Sequence, residues 1–332
     1  MATIYIDEHG AFLRTSQGLV VVEKDAAILA SVRLQEIESV IVMENCALTS
    51  AAVVEMLRAG VEVAFLSRNA EYLGKLEPVA SKNVAVRSKQ HAASADQAFC
   101  LALSRRFVAA KIANMRTIVM RYARSHTGDD LAPQIDRLRD LARGAGSADT
   151  AQELLGIEGS ATRHYFSALS RVISEPFVFS GRNRRPPLDP VNAMLGFAYA
   201  LLENYVEAAV GATGLDPYCG FFHREAYGRQ SLVFDLMEEM RPVIADSVVI
   251  NCCNRAMVSP DADFERRDGG VYLNEPGRQK FFRAFHGRMN GTVKPGPGQT
   301  AVSYQRLCVA QAQALARCVN AGTPDYRPFL IK

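Results

Sequence analysis

The change of pattern at Pro78 to Asn83 constrains the fold of this chain most. Before it, apolar residues come in short β-branched runs: Thr3 to Ile6, Leu19 to Val22, Ile28 to Val32, Val40 to Val42, Val61 to Leu66 and Tyr72 to Leu76. Separated by Gly10, Ser16 to Gly18 and Glu23 to Asp25, such runs read as strands joined by turns. Thr49 reads as the N-cap of one helix over Ser50 to Arg58, closed by Gly60. Beyond Asn83 the apolar residues recur at helical spacing over long stretches. The expected fold is α+β: a small β-rich domain at 1–80, a linker at 81–84, and a larger all-α domain at 85–332. A chain of 332 residues is long enough to bury two such cores.

Within the second part, Ser81 to Arg124 carries nine basic residues against one acid, Asp96, in a chain of net charge only +3. Two readings fit this run, a phosphate-backbone contact or a solvated helix face. A second helix is expected over Asp129 to Arg143, ended by Gly144-Ala145-Gly146. A third spans Ala148 to Ile173 with a break at Gly156 to Gly159. Further helices are expected over Val191 to Val210, Ile244 to Met257, Asn274 to Met289 and Val302 to Val319. Phe264 to Leu273 reads as a hairpin turning at Asp268-Gly269-Gly270, and Thr323 to Lys332 as a tail.

Composition excludes several classes of protein. No apolar run reaches membrane-span length, and the start lacks a signal-peptide pattern, so a cytoplasmic protein without membrane association is expected. Seven cysteines without a CxxC pair suit reduced thiols better than a disulfide frame or a zinc site. There is no internal repeat, P-loop or dinucleotide fingerprint.

Chemistry concentrates in three stretches. The first is GFFHREAYGRQSLVFDLMEEMRP, from Gly220 to Pro242, in which His223 precedes a helix starting at Ser231. On that helix Asp235 projects beside Glu238 and Glu239, while Leu232, Leu236 and Met240 form the apolar stripe. Adjacent acids repel unless a cation offsets them. Carboxylates with one imidazole suit Mn²⁺ or Mg²⁺ better than a structural zinc, and the alternative is a solvated acidic face beside a core histidine. In the second stretch, Gly156 to Phe166, Glu158 lies between two glycines that permit close approach by a ligand, or simply solvates a kink. The third, Ser180 to Pro187, carries Arg182, Arg184 and Arg185 on a loop, a phosphate contact in an exposed basic segment.

Set side by side, GIEGSATRHYF at Gly156 to Phe166 and the Gly220 to Pro242 stretch give the chain a family likeness. It resembles the CRISPR-associated integrase-endonuclease of spacer acquisition, the first of the Cas proteins. The β-rich front and helical rear agree with that resemblance, which spans nearly the whole chain. It implies that Glu158, His223 and Glu238 hold a divalent metal, Mg²⁺ or Mn²⁺, with Asp235 as the nearest additional acid. It implies a DNA integrase and endonuclease acting by transesterification, in which a DNA 3′-hydroxyl attacks a phosphodiester of the repeat. Arg163, Arg224 and Arg229 are the nearest cations for the DNA backbone, and Tyr165 is placed by resemblance and adjacency to position a DNA end. The implied partners are double-stranded DNA, as spacer precursor and repeat, a second copy joined through the β domain, and the small second CRISPR adaptation protein. Two other readings compete: a catalytically silent nucleic-acid-binding scaffold, and a metal-dependent nuclease acting on RNA or branched DNA.

Overall fold

The computed structural model describes every residue except 1, 7, 44–45, 68–71, 77–83, 125–129, 184, 224–226 and 297–299. The expected linker at 81–84 therefore lies outside the described residues but for Val84, and so do Lys82, Arg184 and Arg224. In the first part, β1 (Ala2–Ile6), β2 (Phe12–Ser16), β3 (Leu19–Lys24), β4 (Ala27–Arg33), β5 (Ile37–Met43) and β6 (Ala47–Leu48) precede α1 (Ser50–Arg58). After α1 come β7 (Glu62–Leu66) and β8 (Tyr72–Leu76). Thr49 caps α1 as expected, its hydroxyl accepting from the Ala52 amide at 3.0 Å. The strands form two sheets, in the orders β1-β5-β7-β8 and β4-β3-β2-β6.

The register of β5 and β7 explains how the two parts of the chain join. Side chains alternate along a strand. Val40, Val42 and Val63 face a small core with Leu13, Val20, Val22 and Met56. Ile41, Met43, Ala64 and Leu66 face the other way, into the main core of the helices. A parallel sheet buried on both faces reads as continuous apolar runs, as these strands do. Polar contacts reinforce the seam. The Tyr5 hydroxyl donates to that of Tyr205 at 2.7 Å, and Lys75 on β8 pairs with buried Glu207 at 2.9 Å.

The helical part runs through α2 (Val84–Ala95), α3 (Gln97–Ala123), α4 (Ala132–Ser147), α5 (Ala151–Val172), α6 (Pro190–Thr213), α7 (Ser231–Met240) and α8 (Ser247–Asn254). A π-helical turn at Pro242–Asp246 links α7 to α8, with the Asp246 amide reaching back to the Arg241 carbonyl at 3.0 Å. Pro242 is accommodated there because it has no amide to lose. The expected hairpin follows as β9 (Phe264–Arg267) and β10 (Gly270–Leu273). Then come α9 (Glu275–Asn290), the short pair β11 (Thr292–Val293) and β12 (Val302–Ser303), and α10 (Tyr304–Ala321). The second part is thus predominantly helical rather than all-α. Among the described residues no helix is long and apolar enough to cross a membrane.

Three further expectations are corrected. No break occurs at Gly156 to Gly159, because α5 runs continuously from its Thr150 cap. Leu154, Ala161, Tyr165, Ala168 and Val172 bury one face of it, which offsets the roughly 1 kcal/mol that each interior glycine costs. Gly144 and Gly146 likewise lie inside α4. Residues 323–332 are not a loose tail: Tyr326, Phe329 and Ile331 are buried in the main core.

Candidate active site

Gly220 sets the geometry of the His223 loop. A Cβ there would lie 2.8 Å from the Ser231 Cβ and 3.0 Å from Asp235 Oδ2, so only glycine lets the loop lie against the start of α7. The approach delivers three amides to one carboxylate. Phe221 and Phe222 donate to Asp235 Oδ2 at 2.6 and 3.0 Å, and His223 donates to Oδ1 at 2.9 Å. His223 Nδ1 lies 2.7 Å from the same Oδ1. A carboxylate that already accepts three N–H groups is acceptor-only, which assigns the ring proton to Nδ1 and the free lone pair to Nε2. Nε2 faces Glu238 Oε1 at 3.9 Å. Asp235 is fully buried and its lone pairs are committed to this loop, so its position suits orienting His223 rather than ligating an ion itself.

Glu238 is buried at the centre of the site. Lys111, from α3, touches its Oε2, and Arg241, one turn on, sits 3.2 Å from its Oε1. Burial alone would push this carboxyl up; the charges of Lys111 and Arg241 instead pull it down to about 2. The Lys111 ammonium also touches Glu158 Oε1, which accepts from Thr162 at 3.0 Å. Glu158 and Glu238, 80 residues apart along the chain, therefore meet on a single lysine head group, and His223 Nε2 faces the other oxygen of Glu238. Arg241 is held over the Tyr199 and Phe234 rings at 5.2 and 5.9 Å.

The donor set fits a divalent cation. Two carboxylates and one imidazole would supply the oxygen and nitrogen donors that Mg²⁺ or Mn²⁺ takes. A carboxylate behind the far nitrogen of the imidazole is the usual support for a ligating histidine. Among the described residues no three His, Cys, Asp or Glu side chains close on a common point, and the Lys111 head group touches both Glu158 and Glu238.

The remaining expected site residues divide. Arg163, Arg185 and Arg229 are exposed, Arg229 lying over the Phe234 ring at 5.4 Å. Arg182 is half-buried; it donates to Asn192 at 2.9 Å and stacks on Tyr199 at 5.5 Å, so it braces its own loop. Tyr165 does not fit the DNA-end role. It is fully buried, and its hydroxyl donates to Asp246 Oδ2 at 2.8 Å, opposite Tyr199 on Oδ1 at 2.7 Å. Burial pushes Asp246 up to about 6, although both tyrosines and Arg241 pull against it. Glu239 faces away from the site. It accepts from Tyr326, Gln311 and the Phe329 amide at 2.6, 3.0 and 2.6 Å, and burial pushes it up to about 7.

The basic run from Ser81 to Arg124 is not one continuous face. Lys111 is buried in the site, Arg105 donates to the Ala148 carbonyl at 2.5 Å and Arg106 to the Tyr326 carbonyl at 2.9 Å. Sequence reasoning counted Lys111 among surface cations and gave Arg241 no role. The available signal for Lys111 was its place on α3 with Phe107, Val108 and Met115, all buried, three or four residues away.

A family model described as "CRISPR associated protein Cas1" matches residues 4–287. The chain is 34% identical over its whole length to CRISPR-associated endonuclease Cas1 3 of Thermus thermophilus, 98% of which is covered. It is 37% identical over 99% of its length to a Cas4 exonuclease/Cas1 endonuclease fusion of Geobacter sulfurreducens, and spans 60% of that longer relative. Among solved structures it is similar to a casposase bound to an integration product, with a TM-score of 0.83 at 22% identity, covering 97% of this chain and 92% of that one. A Cas6-RT-Cas1–Cas2 complex also gives a TM-score of 0.83, at 21% identity over the whole of this chain and 36% of that one.

Proposed function

The chain belongs to the CRISPR-associated Cas1 family, and from that premise we propose that it is a divalent-metal-dependent DNA integrase and endonuclease that inserts short foreign DNA fragments into a CRISPR array. The observation that carries this reading is the meeting of Glu158, Glu238 and a His223 whose tautomer is set by Asp235. Glu158, His223 Nε2 and Glu238 hold the ion, Mg²⁺ or Mn²⁺. When bound, the ion stabilises charge on the phosphoryl oxygens and activates the attacking hydroxyl.

The chain's own residues do the rest. Asp235 keeps the His223 lone pair aimed at the site. Arg241 adds a fixed positive charge 3.2 Å from Glu238, where negative charge builds as phosphorus is attacked. The exposed arginines Arg163, Arg185 and Arg229 hold the DNA backbone in line; Arg224 is assigned the same task by its place in the motif. In integration, a bond forms between a DNA 3′-oxygen and the phosphorus of the repeat. The bond to the leaving strand breaks, and that strand departs as a 3′-hydroxyl with the proton lost by the nucleophile. With water as nucleophile the same site cleaves.

The assembly is a homodimer through the β-rich region, joined to the small second adaptation protein. Ile28 and Leu29, 63% and 51% exposed on the edge strand β4, support the dimer surface, and the Cas1–Cas2 complex similar to this chain supports the second partner. The test is plasmid integration with Mn²⁺. Glu158→Ala and His223→Ala are expected to abolish strand joining; parental activity in either overturns the assignment of the chemistry to these residues, and no strand joining by the parent protein favours a silent scaffold. Parallel cleavage of RNA, duplex and branched DNA identifies the substrate, and a preference for RNA overturns the integrase assignment.

A further inference from the structure

Lys111 is the group that the proposed chemistry leaves over. Its side chain is 6% exposed, on a buried face of α3 whose other polar members are Ser104 and Asn114. The ammonium touches Glu158 Oε1 and Glu238 Oε2, so one positive charge ties α3 to carboxylates from α5 and α7. Those carboxylates are two of the three proposed metal ligands.

We infer that Lys111 is a built-in competitor of the divalent ion: its ammonium holds Glu158 and Glu238 together and must release at least one of them when the ion binds. This rests on the metal reading above. Two arrangements of the ion are open, and Lys111 weakens binding in both. An ion on the oxygens that Lys111 touches takes the place of the ammonium. An ion on Glu238 Oε1 and the second oxygen of Glu158 would sit close to a like charge, in a site largely shielded from water where that repulsion is strong enough to drive the ammonium off one carboxylate. The lysine stem has four carbons and free rotation about each bond, so withdrawal of the head group is a side-chain movement and needs no shift of α3. In the metal-free protein the same ammonium keeps two facing carboxylates from repelling one another. Lys111 thereby sets the ion affinity low while keeping the site assembled.

The test is Lys111→Met, which keeps the length of the side chain and removes its charge. Mn²⁺ binding, read from the loss of the free-ion electron paramagnetic resonance signal, is expected to tighten at least about tenfold. Unchanged or weaker binding overturns the inference. Because Lys111→Met leaves two buried carboxylates without their cation, the parent protein supplies an independent measurement, a crystal structure with Mn²⁺. Withdrawal of Nζ from Glu158 or Glu238 supports the inference. Manganese on Glu158, His223 and Glu238 with Nζ still between the carboxylates overturns it alone. No manganese at these residues overturns both it and the metal reading.

Discussion

The two sides of α7 hold neighbouring glutamates that are buried alike and behave differently. Glu238 meets Lys111, Arg241 and His223, and its carboxyl falls to about 2. Glu239 meets a hydroxyl, an amide and a backbone N–H, and burial carries it up to about 7. Burial does not decide the charge of a carboxyl; the charge of what is packed against it does. One side of α7 is therefore built around cations. The other fastens the C-terminal segment, with Asn114 donating to the Glu239 and Phe329 carbonyls at 2.8 and 2.9 Å.

The largest effect that probes this contrast is Glu238→Ala. Integration is expected to fall at least about a hundredfold, and urea unfolding to show a loss of about 3–5 kcal/mol as Lys111 and Arg241 lose a buried partner. Phe329→Ala, on the other side, is expected to cost a similar 3–5 kcal/mol by cavity formation, while integration by the folded fraction stays at the parental rate. Loss of both together would show that the two sides do not act separately.

Asp246 extends the contrast beneath the site. Its folded pKa is raised from 3.8 to about 6, so between those values the folded state holds a proton that the unfolded state has released. Stability from this group is present below pH 3.8 and is lost as pH rises through 6, by up to about 3 kcal/mol. Metal-free Asp246→Asn is expected to show a shallower decline over that window in urea titrations at each pH; a slope equal to the parent's contradicts the assignment. The smallest effect is Tyr326→Phe, which removes one donor to Glu239 and is expected to cost about 1 kcal/mol without changing integration.

The local parts of the structure were legible in the sequence, because strands, caps and the hairpin are written in neighbouring residues. Thr49 and the Asp268-Gly269-Gly270 turn are examples. The glycine-flanked Glu158 misled, since Gly156 and Gly159 inside α5 lie in a helix held by burial along its opposite face. What distant elements do to one another was not legible. Nothing within twenty residues of Lys111 announces Glu158 and Glu238. Tyr165 looks available beside a site motif until Asp246, 81 residues on, claims its hydroxyl. The closing residues read as a tail because their partners, Asn114 and Glu239, lie far back along the chain. The double-sided sheet had the same cause: β5 and β7 read as ordinary apolar strands whether one face is covered or both.

The central claim is that a single imidazole and two carboxylates share one cation. It is tested most directly by pulsed electron paramagnetic resonance of Mn²⁺ bound to protein carrying ¹⁵N-histidine. Coupling to one directly bound imidazole nitrogen is expected, lost in His223→Ala and with it most of the ion affinity. Bound manganese with no nitrogen coupling, or a signal unchanged in His223→Ala, would contradict the account.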